Sequence, residues 1–320
     1  MKPAAGSTEL RADGGGTAPS AWRRLLASDL WFDFVHSPVA MVAAVLLLAA
    51  LASAAGATWL APHDPFDLTT LDLADSHLPP AWMNDGRAAY PLGTDDQGRD
   101  ILSSLMYGAR VSLMVGLAAV ALSLLLGVGA GLVAGFAGGV VDAALMRLCD
   151  VMLSFPPILI ALLIDGVGRV AFPHARDTLA FVVLILAITL TDWTRYARTV
   201  RGSTMVERHK DYVQAARLIG VPPLRILRRH VLPNVLGPVL VLATIQVGQA
   251  IITEATLSFL GVGVPPTNPS LGTLIRIGND FLYAGEWWIT LFPAVALVVI
   301  ALSVNLLGDW LRDALNPRLR

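Results

Sequence analysis

Long apolar runs separated by shorter polar segments dominate the hydrophobicity pattern of this chain. Four uncharged runs are long enough to cross a bilayer, because a span needs roughly 20 apolar residues to cover about 30 Å of hydrocarbon. They occupy residues 39–60, 111–141, 231–253 and 287–308. The pattern therefore predicts a chain built largely from membrane-spanning helices.

The stretch between these runs, residues 142–199, is less regular. It holds two uncharged runs of only 14 residues each, and at about 1.5 Å per residue each would cover roughly 21 Å. Each must recruit flanking polar residues such as Asp150 and Asp192, and we interpret both as spans. The six predicted spans are about 39–60, 111–136, 143–164, 178–199, 234–262 and 287–308.

The distribution of basic residues fixes a predicted orientation. With the N-terminus inside, the inner segments hold 17 of the 23 Lys and Arg residues and the outer segments hold 6. This asymmetry follows the positive-inside rule and places both termini in the cytoplasm. It also supports the two short spans, because removing one would put the most basic segment outside. A charged fraction of 15%, against about 25% in soluble domains, agrees with a membrane protein.

The predicted domain division is simple. Residues 1–38 form an inner tail, disordered up to about Pro19, and residues 39–320 form the membrane domain. The largest outer segment, 61–110, ends in a Gly- and Asp-rich turn that we expect to cap a helix beginning at Ile101. A calcium loop of the EF-hand type is disfavoured, because the required ligand spacing is missing. Cys149, the only cysteine, is expected to be structural and inert.

Two features within the spans suggest how helices pack and bend. Gly127, Gly131 and Gly135 recur at a spacing of four, which lets another helix approach closely in lipid. A dinucleotide site is disfavoured there, because the glycines lie within an unbroken apolar run. Pro156 and Pro157 are expected to kink the third span, either beside a transport pathway or simply as a bend.

Several functional classes lack their motifs in this sequence. Neither of the two lysines, Lys2 and Lys210, follows a G-x-x-x-x-G string, so the chain has no P-loop for ATP. No acid, base or metal cluster suggests an intramembrane enzyme. The charged coupling residues or inverted repeat of a self-sufficient secondary transporter are also missing, although that transporter or a channel stays the alternative reading.

The polar segment 211–234 is the most informative part of the chain. Thr204 and Glu207 have the spacing of a capping box, which predicts a helix start near Met205. Gly220 suits the left-handed position after a helix end. Pro223 then suits the first turn of a second helix at 224–230, and Pro233 marks the entry to the fifth span.

The first helix of this segment is predicted to be amphipathic. One face carries Tyr212, Ala215, Ala216 and Ile219, and the other carries Asp211, Gln214 and Arg217. The loop 200–233 is much longer than a connection needs, and alanines let a partner approach where a lipid-facing helix would carry larger residues. Protein docking is therefore favoured over a helix that lies on the membrane surface.

Charged residues near the outer side give weaker signals. Glu254 is the one carboxylate within the fifth apolar stretch, and we favour a structural hydrogen bond over a role in the pathway or gate. Arg276, Asp280 and Glu286 are expected to be solvated rather than to meet a partner.

The string QAARLIG (214–220), followed by nine residues and HVLP (230–233), resembles the EAA loop of importer-type ABC permeases. Three further stretches resemble the second permease subunit of the dipeptide, oligopeptide and nickel importers. They are LGTDDQGRDILSSLMYGARVSL (92–113), EATLSFLGVG (254–263) and NLLGDWLRDALNP (305–317). The resemblance covers about residue 38 to the C-terminus. Gln214 departs from the pattern, which usually has Glu at this position.

The resemblance implies an all-α polytopic membrane protein with six transmembrane helices, the type I ABC importer permease fold and a cytoplasmic coupling helix. It implies a bacterial inner-membrane location and import of peptides or a similar small solute. The implied ATPase-docking residues are Asp211, Tyr212, Gln214, Ala215, Ala216, Arg217, Gly220 and Pro233.

The resemblance also implies partners. They are a second homologous permease, two ATPase subunits, an extracytoplasmic solute-binding protein and membrane lipid, with no nucleic acid. No cofactor, metal or catalytic residue is expected in this chain, because ATP and Mg²⁺ would be bound by the ATPase subunits. The substrate within the subfamily is left open.

Overall fold

The computed structural model describes residues 29–67, 71–171 and 176–314, and throughout these ranges the regular elements are helical. Most of the predicted N-terminal tail lies outside them. The helices are α1 (Asp29–Val35), α2 (Pro38–Ala55), α3 (Ala57–Leu60), α4 (Ile101–Ala137), α5 (Gly139–Ser154), α6 (Pro157–Ala171), α7 (Arg176–Glu207), α8 (Asp211–Leu218), α9 (Pro223–Ile226), α10 (Leu232–Phe259), α11 (Leu271–Phe281) and α12 (Trp287–Ala314).

The described helices account for the predicted spans. Five of them, α2, α4, α7, α10 with the residues before it, and α12, are long and apolar enough to cross a membrane. The pair α5 and α6 passes the same test together, with a bend of 89° between them, and would be the sixth. α10 ends at Phe259, three residues before the end of the predicted fifth span.

The bend in the third predicted span lies at the paired prolines. Phe155 has an extended backbone and ends α5, and α6 begins at Pro157. A residue before proline is biased away from helical angles, and proline itself cannot donate a backbone hydrogen bond. The predicted kink is confirmed, with an angle of 89° between α5 and α6.

The direction of α4 and α7 shows that the bent pair carries the chain back along the bundle. These two helices run parallel, because Thr189 donates to the carbonyl of Ala119 and Thr204 lies beside Gly135. Parallel neighbours need a connection that returns over their length. α5 and α6 provide it. Asp142 in α5 accepts from Arg201 near the end of α7, and Ala161 in α6 lies in one apolar cluster with Leu184 near the start of α7.

The seam between α4 and α7 is the most extensive helix contact in the described residues. Gly127, Gly131 and Gly135 line it, and a Cβ added at Gly131 would lie 2.5 Å from the carbonyl oxygen of Ala197. The α7 backbone thus rests directly on the glycine stripe. Cys149 is fully buried next to this seam, against Trp193 and Ala197.

The end of the bundle where α4 begins is closed by the segment 71–100. Asp100 caps α4 by accepting from the amides of Leu102 and Ser103, which confirms the predicted helix start. Arg99 and Asp95 form a buried pair at 2.6 Å, and the indole of Trp288 donates to the carbonyl of Thr94. The segment is therefore built onto α12.

Two outer charges are not solvated as predicted. Glu286 pairs with His77 at 2.6 Å, because the segment 71–100 folds back over the start of α12. Arg276 is half-buried in α11, since that helix packs between α10 and α12. Asp280 is exposed, as expected.

Candidate functional site

The loop that leads to α8 does not begin as the sequence predicted. No helix starts near Met205; α7 continues to Glu207, and α8 begins at Asp211. Thr204 is fully buried against Gly135 and caps nothing. The capping-box reading was wrong because the glycine stripe of α4 extends the packed length of α7 by one turn.

The end of α8 follows the sequence prediction. Gly220 has φ +78°. The amide of Val221 donates to the carbonyl of Ala216 at 3.0 Å, and the amide of Gly220 donates to the carbonyl of Arg217 at 3.0 Å. This pair of bonds is a Schellman motif, which only a residue tolerant of positive φ can complete. Gly220 thus ends the helix sharply, as predicted.

The residues after Gly220 form a more continuous structure than two separate helices. α9 begins at Pro223 and passes through a π turn, Leu227–Val231, directly into α10. Pro233 lies in the first turn of α10. Because Pro233 has no N–H, the α-helical bond to Arg229 cannot form, and a wider π turn accommodates the loss.

The inner face of α8 rests on the ends of the long helices. Val213 and Ala216 are buried in one apolar cluster with Ile226 and Val231. The Arg217 guanidinium lies 4.7 Å above the ring of Phe136 at the end of α4. These contacts bury Ala216. The predicted face of Tyr212, Ala215, Ala216 and Ile219 is therefore not uniform, because the other three residues are exposed.

Tyr212 joins three elements through its hydroxyl. It donates to Glu207 at the end of α7 and accepts from the Asn234 side chain of α10 at 3.0 Å. Asn234 also donates to the His230 carbonyl at 2.7 Å, within the π turn. Burial, and next the bond to Glu207, raise the pKa of Tyr212 to about 12, so the hydroxyl keeps its proton at neutral pH.

The outward side of this region carries exposed apolar residues, which we call the apolar tip: Leu218, Ile219 and Leu224. Their exposed fractions are 88%, 79% and 67%. Ala215 and Gly220 are exposed beside them, as is Asp211 at the start of the helix. Sequence reasoning missed Leu218 and Leu224; two leucines that flank a glycine–proline break were the available signal.

Gln214, by contrast, is half-buried, and Arg217, although exposed, lies with its guanidinium against Phe136. The Gln214 amide donates to the carbonyl of Arg208 at 3.0 Å. Asn234, which ends the sequence segment, was not among the predicted docking residues, although it holds Tyr212. The structure therefore separates residues that hold α8 in place from residues that it presents outward.

The other candidate residues lie far from α8 in the chain and in different settings. Glu254 is fully buried in α10 and accepts from the Ser258 hydroxyl at 2.7 Å, so the favoured structural hydrogen bond is present. Pro156 and Pro157 are exposed at the bend between α5 and α6. A pathway role for these three residues stays a prediction.

Comparison with family descriptions and known proteins covers almost the entire chain. Residues 127–320 match the family described as binding-protein-dependent transport system inner membrane component. Residues 20–80 match the N-terminal transmembrane domain of oligopeptide transport permease C. The α8 region and the glycine stripe both lie within the first match.

Curated relatives match over most of their own lengths. The chain is 38% identical over 293 residues to the di/tripeptide transport system permease protein DppC of Pseudomonas aeruginosa, covering 91% of this chain and 92% of the relative. It is 40% identical to the dipeptide transport system permease protein DppC of Escherichia coli K12, with coverage of 91% and 93%. A putative peptide transport system permease protein of Brucella suis is 45% identical over 228 residues, with coverage of 71% and 73%.

Among solved structures, the chain is similar to one from the MetNI methionine ABC transporter in an inward-facing conformation. The TM-score is 0.54 at 19% identity, with coverage of 67% of this chain and 96% of that chain. This likeness concerns the fold alone.

Proposed function

The chain belongs to the family of binding-protein-dependent transport system inner membrane components and has the type I ABC importer permease fold, and from this membership we propose how it works. It forms, with a second homologous permease, a pathway that imports peptides through the bacterial inner membrane. A binding protein delivers the peptide from outside, and two separate ATPase subunits hydrolyse ATP. The peptide relatives support this choice of solute.

The observation that carries the proposal is the exposed apolar tip on a firmly held helix. Large apolar side chains exposed on a rigid support mark protein interaction sites. Leu218 and Ile219 lie at the end of α8, whose inner face is buried against the bundle. We infer that the tip inserts into a groove of an ATPase subunit, which makes α8 the coupling helix.

The chemistry of ATP hydrolysis is assigned to the partners. The sequence has no P-loop lysine, so ATP and Mg²⁺ are bound by the ATPase subunits and this chain is a non-catalytic component. The tight binding of ATP between the ATPase subunits would move α8, and the spans would shift between inward- and outward-facing states. Such a shift requires different contacts in the two states.

The surplus of Lys and Arg on the α8 side supports the proposed orientation, with both termini and α8 in the cytoplasm. The segment 71–100 and α11 would then face the binding protein outside. Lipid would cover the apolar outer surfaces of α2, α4 and α12.

Co-purification of the assembled transporter tests the proposal. Replacing Leu218 and Ile219 together by Glu (L218E/I219E) puts two charges into the docking groove, and burial of each apolar side chain contributes about 2 kcal/mol. We expect the affinity for the ATPase subunits to fall by more than about a hundredfold. The ATPase subunits should then be missing from the purified complex, while the second permease stays bound.

The matched control is Tyr283→Glu, which adds a charge at a 97% exposed residue outside α8 and should leave ATPase binding unchanged. Retention of the ATPase by the double variant would refute docking at the tip. Peptide uptake by the chain alone in liposomes would instead favour a self-sufficient transporter.

A further inference from the structure

We propose that Gln214 and Arg208 are positioning residues that fasten α8 to the end of α4, so that a displacement of α8 is passed to the seam between α4 and α7. The inference rests on the proposed function, because it assigns the residues that connect the docked helix to the spans. It gives Gln214 a role within the chain instead of one at the ATPase surface.

Arg208 is the centre of this connection. Its Nη1 donates to the carbonyl of Gly135 in the last turn of α4 at 2.9 Å, and its own carbonyl accepts from Nε2 of Gln214 at 3.0 Å. One residue just beyond α7 thus touches both α4 and α8. We call these two bonds the latch.

The latch needs a donor at position 214. A backbone carbonyl has lone pairs and no proton, so it can only accept, and a Gln amide supplies the donor. An ionised Glu is an acceptor only and would face the Arg208 carbonyl with like partial charge. The Gln at this position, where the family pattern usually has Glu, therefore fits the contact that the structure shows.

A second contact reinforces the same connection. Arg217, one turn beyond Gln214 on α8, stacks over Phe136, which is adjacent to Gly135. A cation above an aromatic face is attracted by the electron-rich ring. Two neighbouring residues at the end of α4 thus each contact an arginine: Gly135 contacts Arg208, and Phe136 contacts Arg217.

The end of α4 is suited to receive a displacement of α8 because it is closely packed against α7. Gly135 packs against Thr204, and a Cβ there would lie 2.7 Å from the Thr204 Cβ. Helices packed this closely transmit a displacement to each other, because a close-packed contact leaves no free space to absorb it. A pull on the latch therefore acts on α4 and α7 as one unit.

Hydrogen exchange and coupling measurements on the complete transporter test the latch. Gln214→Glu and Gln214→Met each remove the donor, one with a new charge and one without. We expect the amides of Ile219, Gly220 and Val221 to exchange about five- to tenfold faster in both, as one hydrogen bond is lost. We also expect peptide transported per ATP hydrolysed to fall severalfold at equal amounts of assembled complex.

The control is Gln97→Glu, the same substitution at an exposed residue in the segment 71–100, which should leave α8 exchange unchanged. Wild-type exchange in both Gln214 variants would overturn the latch, as would faster exchange with an unaltered transport ratio. Failure of the ATPase to co-purify with the wild-type chain would count against the proposed function instead, and exchange in the isolated full-length chain would still decide whether the Gln214 bond holds α8.

Discussion

The seam between α4 and α7 and the α8 region at its end are held together by opposite means. The seam is backbone against backbone, with glycines where side chains would separate the helices. The α8 region rests on an apolar cluster and is held in addition by polar side chains, Gln214, Arg217 and Tyr212, that reach the ends of three long helices. A seam of the first kind moves as a rigid unit, whereas bonds of the second kind can be exchanged one at a time.

This difference fits the two tasks that the proposed function requires. The spans must keep their packing through each transport cycle, and dry packing of small residues provides that stability in lipid. The docked helix must hold its angle yet respond to a partner, and individual hydrogen bonds of about 1 kcal/mol allow both.

The largest expected effect comes from a single methyl group in the seam. Gly131→Ala would place a Cβ 2.5 Å from the Ala197 carbonyl oxygen, so the helices must separate. We expect a loss of about 2–3 kcal/mol in stability, measured by thermal unfolding of the purified chain in detergent. Gly129→Ala is the matched control: nothing lies within 4 Å of its added Cβ, and it should leave stability equal or slightly higher. Equal melting temperatures for the two variants would show that close backbone contact does not hold the seam, and the contrast with the α8 region would fail.

An intermediate effect is expected at the end of α8. Gly220→Val forces a β-branched residue to φ +78°, which costs about 1–2 kcal/mol, although an added Cβ would meet nothing within 4 Å. Transport per ATP should fall while thermal unfolding of the spans stays near wild type. Gly220→Asn, which tolerates left-handed angles, should retain most coupling, and full coupling in the Val variant would show that the sharp end of α8 is dispensable.

The smallest expected effect concerns the Tyr212 hydroxyl. Tyr212→Phe removes its bonds to Glu207 and Asn234 and should speed exchange of the Gly220 amide by about fivefold. In the folded protein its pKa is raised to about 12 from an ordinary value near 10, so the protonated hydroxyl stabilises the fold below pH 10. That contribution should disappear between pH 10 and 12.

The Phe variant should lack this alkaline step in α8 exchange, and Tyr283→Phe serves as the exposed control. An identical pH profile in wild type and Tyr212→Phe would mean that the hydroxyl network does not hold α8.

Much of the architecture was readable from local sequence rules. The long apolar runs predicted the spans, the proline pair predicted the break before α6, and Asp100 and Gly220 predicted a helix start and a helix end. Each of these rests on properties of a few adjacent residues, such as a missing amide proton or a tolerated positive φ. Such properties act before any distant contact forms.

The errors have a common physical origin. Thr204 and Glu207 have the right spacing to start a helix, but packing of Thr204 on Gly135 keeps them in α7. Ala216 has the size of a docking residue, yet an apolar cluster with Ile226 and Val231 buries it. In both cases partners ten or more residues away decided the outcome, and helical spacing carries no information about those partners.

The sequence by itself determined that this chain is an all-α membrane protein of the importer permease family, with a helix that ends at Gly220 on the basic side. Only the tertiary structure decided which side of that helix faces outward. The reason is geometric: α8 acquires an inside and an outside only when the ends of α4, α7 and α10 meet beneath it. Packing on these helix ends buries Val213 and Ala216 and leaves Leu218 and Ile219 exposed. It also provides the contacts of Gln214 and Arg217.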